Sequence, residues 1–368
     1  MAAVKREKIE ELDLLRALAA FFVIVIHVTA APLVLGARGS VYHYAITLVN
    51  QLARFSIPAF IFVTGLVLFY NYPNHREIKW SGYFRKRITY VLVPYIFWSA
   101  IYFYLKQFMA HRQLNLPETA LQFVGALLRG DSYYHLYFVV LIFQFYLLFP
   151  LLLPLWQWAR QRIGLVTAAL FALYSGYICL SFYNIKPFDS SIINFIFKYQ
   201  GKLFFAWFGF FVLGAYSALR LDQVRQLITR WAYPAMLGAG ALLVGMVGEF
   251  YWRTANPRVD VAYAATSLRP LGIAFTVVAI VAVLAAARKF VLGRGLVSQI
   301  TTSLSNHSYG IYLIHPLVLT FLEIVEYKLG LGYPWWLVAA NLTLCFSCSY
   351  LAAAILGRFT WARPLIGR

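Results

Sequence analysis

The sequence predicts an all-α membrane protein with about ten transmembrane helices and both termini in the cytoplasm. Three observations predict this class. Of the 368 residues, 62% are hydrophobic and only 12% are charged, which is too apolar for a soluble domain of this size. The apolar residues form ten separate runs, each about as long as a membrane-spanning helix. The Lys and Arg residues concentrate in alternate connections between these runs, as the positive-inside rule requires.

Each predicted span is an apolar run with polar flanks. In order, the spans are Asp13 to Leu35, Ile46 to Tyr70, Tyr90 to Phe108, Tyr134 to Trp156, Leu165 to Phe182, Lys202 to Leu219, Trp231 to Tyr251, Leu268 to Ala287, Ser308 to Lys328 and Trp335 to Leu356. The first is too long for a signal-peptide core, so we expect it to be retained. The spans follow one another closely and show no internal repeat. One membrane-embedded domain over residues 1–368 is therefore the simplest organisation.

The net charge of +19 raises the question of a nucleic-acid partner, but its placement argues otherwise. Cytoplasmic loops carry the Lys and Arg excess of membrane proteins. The observed distribution puts both termini inside, and an even number of spans agrees with that. The charge therefore orients a multi-pass protein in the plasma membrane, and we expect no nucleic-acid partner.

One further helix is predicted on the outer side, over residues 116–130. Pro117 stands near the first helical position, apolar residues follow at helical spacing, and Gly130 comes directly after the last turn. The segment is too short to span the bilayer. We expect an interfacial or re-entrant helix.

The first span contains an aligned polar pair. Arg16 and His27 are eleven residues apart, which is about three helical turns, so both project from nearly the same face, and Asp13 lies within ~60° of it. A charged residue among lipid tails costs roughly 2.5 to 3.5 kcal/mol unless it faces the protein interior. The alternative is an arginine that reaches the headgroups and one core histidine. The alignment favours an internal functional site.

A basic cluster leads into the third span. Arg85, Lys86 and Arg87 directly precede its apolar run. The cluster alone is a positive-inside signal. It is also suited to a phosphorylated cytoplasmic ligand, because guanidinium groups bind phosphate through paired, charge-assisted hydrogen bonds.

Two more histidines are candidates. His135 opens the fourth span, where a headgroup or capping contact is the commoner role. His315 lies half-way along the ninth span, with Ser308 two turns earlier on the same face. Pro316 leaves a backbone carbonyl without its helical donor, and a neighbouring polar group must satisfy it. Structural and functional roles are both open for His315.

The cysteines predict no metal site. Cys345 and Cys348 have metal-ligand spacing, but the sequence offers no second ligand pair. We expect no metal cofactor.

Several segments together resemble acyltransferase family 3, a family of integral membrane proteins. They are the first-span pattern from Leu12 to His27, SIPAFIFVTGLVL (Ser56 to Leu68), YFRKRITYVLVPYIFW (Tyr83 to Trp98), HLYFVVLIFQFYLLFP (His135 to Pro150), FFVLGA (Phe210 to Ala215) and SYGIYLIHP (Ser308 to Pro316). The pieces occur in the right order from the first span to the ninth. The loops look most like the branch that contains the intercellular adhesion protein C type, which is associated with a biofilm polysaccharide of N-acetylglucosamine.

The resemblance implies transfer of an acyl group from cytoplasmic acyl-coenzyme A to a hydroxyl of a surface carbohydrate. By position it implicates Arg16, His27 and Arg87. Many members carry an R-x-x-R pair at the start of the third span, whereas Ile88 stands at the second arginine position here. The implied coenzyme A contacts therefore transfer to Arg87, with Arg85 and Lys86 as neighbouring candidates.

The chemistry of these residues agrees with that activity. Acyl transfer from a thioester to an alcohol needs a base for the hydroxyl proton and positive charge near the developing oxyanion. A neutral histidine can be that base. His27 lies ~16 Å along the helix from Arg16, so the oxyanion donor must come from another span. Arg16 is better placed for the coenzyme phosphates or for a pair with Asp13.

The sequence thus predicts a membrane O-acyltransferase that uses acetyl-coenzyme A or succinyl-coenzyme A and modifies an exported or cell-surface polysaccharide. The alternative is a polysaccharide exporter or flippase, whose polar residues line a sugar pathway. A sensor that binds acyl-coenzyme A without turnover is a third reading. A homodimer, or association with polysaccharide-synthesis machinery, is compatible with each of them.

Overall fold

The computed structural model describes residues 7–110, 116–186, 188, 190–291, 293 and 295–368. All regular structure in these residues is helical. The α-helices are α1 (Glu11–Val28), α2 (Ala30–Leu35), α3 (Val41–Ala53), α4 (Ser56–Asn71), α5 (Trp80–Arg87), α6 (Val93–Met109), α7 (Leu116–Arg129), α8 (Tyr137–Trp158), α9 (Ile163–Phe182), α10 (Ser191–Tyr199), α11 (Phe208–Leu219), α12 (Leu221–Arg230), α13 (Ala232–Thr254), α14 (Val261–Ala264), α15 (Pro270–Ala286), α16 (Gly295–Lys328) and α17 (Trp335–Leu356). The predicted all-α membrane class is confirmed.

Seven helical segments of the described chain are long and apolar enough to cross a membrane. They are Val41–Asn71, Trp80–Met109, Tyr137–Phe182, Ala232–Thr254, Pro270–Val291, Gly295–Lys328 and Trp335–Leu356. The third of these contains both α8 and α9, which were predicted as two spans. Helix α11 is apolar but shorter, and α1 carries three charged residues. The count of ten crossings and the cytoplasmic termini stay predictions.

Three predicted spans are less regular than expected. The first breaks at Thr29, whose hydroxyl donates to the carbonyl of Val25 at 2.6 Å and which separates α1 from α2. The second breaks between α3 and α4. The sixth is α-helical only over α11, because two 3-10 turns, Gln200–Lys202 and Phe204–Ala206, precede it.

The predicted short helix is present as α7, and its end has the expected chemistry. Gly130 adopts φ +68°, a backbone conformation that glycine adopts without the steric penalty of a side chain. The amide of the next residue, Asp131, donates to the carbonyl of Ala126 at 2.8 Å, as in a Schellman cap. Its interfacial position stays a prediction.

Helices α4 and α11 pack together through two glycines. A Cβ on Gly65 would lie 2.2 Å from the carbonyl oxygen of Phe211, and a Cβ on Gly214 would lie 2.1 Å from that of Phe62. Small residues of this kind let two membrane helices approach closely. Two of the family-like segments therefore meet at this contact, which forms part of the central core.

Helix α1 lies in contact with α3, α4, α15, α16 and α17, and two carboxylates fix its first turn. Glu11 accepts from Arg225 at 2.6 and 3.2 Å and from Arg288 at 2.9 Å. Asp13 accepts from Thr302 and Ser305 of α16, both at 2.8 Å, and pairs with Lys8.

The position of Asp13 corrects an expectation from the sequence. Asp13 is buried and makes no ion pair with Arg16 among the described residues. Three donors from other parts of the chain already satisfy its carboxylate. Asp13 is therefore a structural anchor between α1 and α16, and it acts on Arg16 only electrostatically, without a direct ion pair.

Candidate functional site

Arg16 and Arg87 line one cavity, here called the arginine cavity, of about 300 Å³. Its wall comes mainly from α1, α4, α8, α16 and the start of the third predicted span. The lining residues are Arg16, Phe60, Val63, Thr64, Val67, Leu68, Arg87, Tyr90, Val91, Phe138, Val139, Ile142, Tyr146, Ser308, Tyr309, Tyr312 and Gly367. The structure thus brings together three sequence-predicted site residues, namely both arginines and Ser308.

The two arginines differ in how they are held. Arg87 donates to the hydroxyl of Tyr72 at 3.0 Å, and its guanidinium lies 4.0 Å from the ring centroid of Tyr83. Arg16 makes no hydrogen bond or ion pair with the described part of the chain, and burying an unpaired guanidinium is costly. The cavity therefore contains a guanidinium that no protein anion contacts directly, although Asp13 acts on it electrostatically from further away.

Arg85 and Lys86 are not part of this cavity. Both side chains are exposed on α5, and only Arg87 of the basic cluster lines the arginine cavity. Arg87 is followed at once by a π-helical turn, Ile88–Leu92, a local geometry that is frequent at functional sites. This turn contributes Tyr90 and Val91 to the wall.

Three histidines that are far apart in the sequence lie together. The ring centroid of His315 is 5.4 Å from that of His27 and 5.5 Å from that of His135. His135 is 2% exposed, and neither of its ring nitrogens has a hydrogen-bond partner among the described residues. The expected headgroup contact for His135 is therefore wrong. Its carbonyl accepts from the hydroxyl of Tyr312, which fixes the histidine inside the protein.

The backbone around Pro316 fixes the tautomer of His315. Proline has no amide hydrogen, so the carbonyl of Tyr312 lacks its helical donor. The Nδ1 of His315 lies 2.7 Å from this carbonyl oxygen, which can only accept. Nδ1 therefore carries the hydrogen, and Nε2 has a lone pair. That Nε2 is buried without a partner among the described residues.

Tyr102 bridges the next pair of backbone groups of α16, those of Leu313 and Leu317. Its hydroxyl donates to the carbonyl of Leu313 at 2.6 Å and accepts from the amide of Leu317 at 3.1 Å. The prediction that polar groups satisfy the backbone at Pro316 is confirmed.

A second cavity, here called the tyrosine cavity, lies beside the histidines. It has a volume of about 550 Å³ and is lined by Lys106, Met109, Ala110, Gly130, Asp131, Tyr133, Tyr134, Tyr137 and Lys202. The ring of Tyr134 lies 4.6 Å from that of His27.

The two cavities approach each other at the start of α8, where the consecutive residues Tyr137 and Phe138 line the tyrosine cavity and the arginine cavity. They diverge along the third predicted span. Tyr90 contributes to the arginine cavity and Lys106 to the tyrosine cavity, and sixteen residues of helix extend over ~24 Å. No lining residue is shared between the two. Between them, Tyr312 lines the arginine cavity and lies 5.2 Å from the ring of His135. None of the three histidines lines either cavity, but their rings contact Tyr312 of the arginine cavity and Tyr134 of the tyrosine cavity.

The sequence reasoning missed Arg54, which ends α3. Its Nε and Nη2 donate to the Oδ1 of Asn50 at 3.0 and 2.8 Å, and the amide of Asn50 donates to Thr29 at 2.8 Å. Thr29 is two residues beyond His27, and Arg54 interacts electrostatically with His27. The signal was available, since Arg54 lies inside a predicted span.

Arg269 was also missed. It is completely buried, forms an ion pair with Glu249 at 3.2 Å, and donates to Gln51 and to the carbonyl of Ala264. This network ties α3, α13 and α15 together beside the site.

The fold and the site define a polytopic membrane protein with a polar centre beside two cavities. A family model described as an acyltransferase domain, that of acyltransferase family 3, matches residues 9–356. The chain belongs to this family, which confirms the resemblance predicted from its motifs.

Two relatives carry informative names. The membrane-bound acyltransferase YfiQ of Bacillus subtilis is 25% identical over 334 residues, covering 89% of this chain and 84% of the relative. The poly-beta-1,6-N-acetyl-D-glucosamine export protein of Staphylococcus aureus is 23% identical over 275 residues, covering 74% and 71%. No solved structure matches the chain.

Proposed function

We propose that this protein is a plasma-membrane O-acyltransferase that transfers an acetyl or succinyl group from cytoplasmic acyl-coenzyme A to a hydroxyl of an exported or cell-surface polysaccharide. The observation that carries the proposal is that the cluster of three histidines contacts lining residues of both cavities, Tyr312 of one and Tyr134 of the other. One cavity presents arginines and the other presents tyrosines. Donor and acceptor then approach the same imidazole from opposite sides.

The arginine cavity is the proposed donor site. Arg16 and Arg87 supply guanidinium groups, which bind phosphate in charge-assisted hydrogen bonds. Apolar side chains form most of the remaining wall. Such a surface suits the acyl chain and the pantetheine arm. The exposed Arg85 and Lys86 add positive charge at the cytoplasmic approach, which increases the rate of encounter with an anionic donor.

His27 is the proposed general base. Its imidazole takes the proton of the acceptor hydroxyl while the hydroxyl oxygen attacks the thioester carbonyl carbon. The new C–O bond forms, the C–S bond breaks, and the coenzyme leaves as a thiolate that takes the proton from the imidazolium. The products are the O-acyl ester and free coenzyme A.

Arg54 is the proposed source of positive charge near the oxyanion. Its third nitrogen, Nη1, makes no hydrogen bond with the described residues, whereas Nε and Nη2 are held by Asn50. A preorganised donor of this kind stabilises the charge that develops on the carbonyl oxygen. It supplies the group from another span that the chemistry requires.

An exporter is the second candidate, because one relative is named as an export protein. A sugar conduit needs a continuous passage, whereas the packed rings of His27, His135 and His315 lie between Tyr134 of one cavity and Tyr312 of the other. The arrangement therefore supports transfer between the cavities better than passage through them.

The test uses the purified full-length protein with acetyl- or succinyl-coenzyme A and an oligosaccharide of N-acetylglucosamine. Mass spectrometry of the glycan should show addition of the acyl group, together with one free coenzyme A per ester formed. His27→Ala should lower the rate by at least ~10², the usual loss for a general base, while coenzyme A affinity is kept. Undiminished transfer by His27→Ala would exclude His27 as the base.

A further inference from the structure

The tyrosine cavity has the features of a selective sugar site, and the inference drawn from it rests on the proposed function. Its floor is formed by the rings of Tyr133 and Tyr134, whose centroids lie 4.7 Å apart. Behind this floor, Tyr102 packs 4.7 Å from Tyr133, and His27 packs 4.6 Å from Tyr134. A hydrogen bond of 2.6 Å between Tyr133 and Thr320 fixes the Tyr133 ring. Tyr134 is 47% exposed and offers an open aromatic face.

Such a floor is suited to a pyranose ring. The C–H groups on one face of a sugar carry partial positive charge, and the face of an aromatic ring is negative. Because Tyr134 also contacts His27, a sugar packed on this ring has its hydroxyls close to the proposed base.

Charged residues surround this floor. Asp131 pairs with Lys202 and, at 3.2 Å, with Arg129. Burial raises the pKa of the Asp131 carboxyl, but the hydrogen bonds from these two cations outweigh it and hold the pKa below its ordinary value. Gln144 fixes the backbone of the segment that carries Lys202. It donates to the carbonyl of Lys202 at 2.8 Å and accepts from the amide of Phe204 at 3.0 Å.

The remaining cation is Lys106. It lines the tyrosine cavity, is exposed, and has no ion pair or side-chain hydrogen bond in the described part of the chain. The described lining therefore contains two lysines and one carboxylate, and both acidic oxygens of that carboxylate are already paired. Glu323 acts electrostatically on Tyr133 and Tyr134 but does not line the cavity, so positive charge is in excess in the lining itself.

We propose that the tyrosine cavity is the acceptor subsite and that it selects by charge. It holds one sugar residue of an uncharged or anionic glycan against Tyr133 and Tyr134, and it rejects sugars with a free protonated amine. Lys106 and Lys202 repel an ammonium group, and Asp131 has no unpaired oxygen to offer it. N-acetylated residues carry no such charge and are accepted.

Binding alone tests this proposal, because no acyl donor is needed. The probes are a β-1,6-linked pentamer of N-acetylglucosamine and the same pentamer fully de-N-acetylated, each titrated calorimetrically into the full-length protein at pH 6. The acetylated pentamer should bind at least ten times more tightly. Tyr134→Ala should weaken its binding at least tenfold without changing the affinity for coenzyme A.

Lys106→Glu should reduce the discrimination between the two pentamers at least tenfold, because it reverses the charge of the unpaired cation. The matched control is Lys328→Glu, which changes an exposed lysine that lines neither cavity and should leave discrimination unchanged. Equal affinity for both pentamers, or no effect of Lys106→Glu and Tyr134→Ala, would overturn the proposal. Selective binding without any acyl transfer would leave the sugar site standing and refute the proposed function.

Discussion

The Nδ1 of His315 lies 2.7 Å from the carbonyl oxygen of Tyr312, the carbonyl that Pro316 leaves without a helical donor. One imidazole therefore does two things. Its Nδ1–H satisfies the backbone inside an apolar helix, where an unpaired carbonyl is costly, and its Nε2 keeps a lone pair beside His27. Helix integrity and the protonation pattern of the site depend on the same side chain.

His315→Asn separates these two roles. The asparagine amide can still donate to the Tyr312 carbonyl, but it has no counterpart of Nε2. We expect thermal stability close to that of the parent and a fall in kcat of about tenfold or more, with KM for acyl-coenzyme A unchanged. His315→Leu should lose activity and also stability, by roughly 1 to 3 kcal/mol for the unpaired carbonyl. Full activity of His315→Asn would show that His315 only caps the helix.

Arg87→Ala should weaken coenzyme A binding about tenfold, since a hydrogen bond to a charged group contributes roughly 1.5 to 3 kcal/mol. Arg85→Ala and Arg76→Ala are the matched controls, because both arginines are exposed and lie outside the arginine cavity. Calorimetric titration of coenzyme A into the three variants measures the difference. Equal losses in all three would indicate that the cluster acts only as a topological signal.

Gly65→Ala should destabilise the protein because the new Cβ would lie 2.2 Å from the carbonyl oxygen of Phe211. Overpacking of this kind costs roughly 1 to 3 kcal/mol, and the melting temperature in detergent should fall accordingly. Gly176→Ala is the control, since a Cβ there meets no atom within 4 Å. A melting temperature for Gly65→Ala equal to that of the control would contradict the close α4–α11 contact.

The ion pairs of Glu11 with Arg225 and Arg288 predict that the folded protein loses stability in acid. Burial raises the pKa of the Glu11 carboxyl, but hydrogen bonds from Arg225 and Arg288 outweigh burial and hold the pKa below its ordinary value. A carboxyl with a lowered folded-state pKa stabilises the protein above its unfolded pKa, which is about 4.3. That stabilisation is lost as the pH falls through the folded-state pKa.

The melting temperature of the parent should therefore decline below about pH 4.3, and Glu11→Gln should start lower at neutral pH and decline less. Glu10→Gln, at an exposed neighbouring position, should behave as the parent. Parallel pH profiles for the parent and Glu11→Gln would argue against this ion-pair group.

Much of the fold could be predicted from the sequence because the bilayer imposes it. Trp335 to Leu356 and Leu116 to Arg129 are helices with the predicted bounds, since proline or glycine marks at least one end of each. The break at Thr29 was missed because α1 and α2 are both apolar, so neither hydropathy nor length distinguishes a broken span from a continuous one.

The site could be predicted only in part, because periodicity describes one helix at a time. It aligned Arg16 with His27 but could not show that α16 satisfies Asp13. It also could not place His135 beside His315, since that contact joins two helices distant in the chain. Arg54 was open to the rule that singled out Arg16, since it lies inside the predicted second span. Its link to the first span through Asn50 and Thr29 joins two helices, so periodicity could not show it.

The most direct test of the central claim uses the protein reconstituted in sealed vesicles with its basic cluster, Arg85 to Arg87, outward. Added acyl-coenzyme A should be consumed only when glycan is enclosed in the lumen, with free coenzyme A released outside and acyl ester found inside. His27→Ala vesicles should consume at least ~10² less. Movement of labelled oligosaccharide across the membrane with no discharge of either acetyl- or succinyl-coenzyme A would contradict the acyltransferase account and place His27 in a transport pathway.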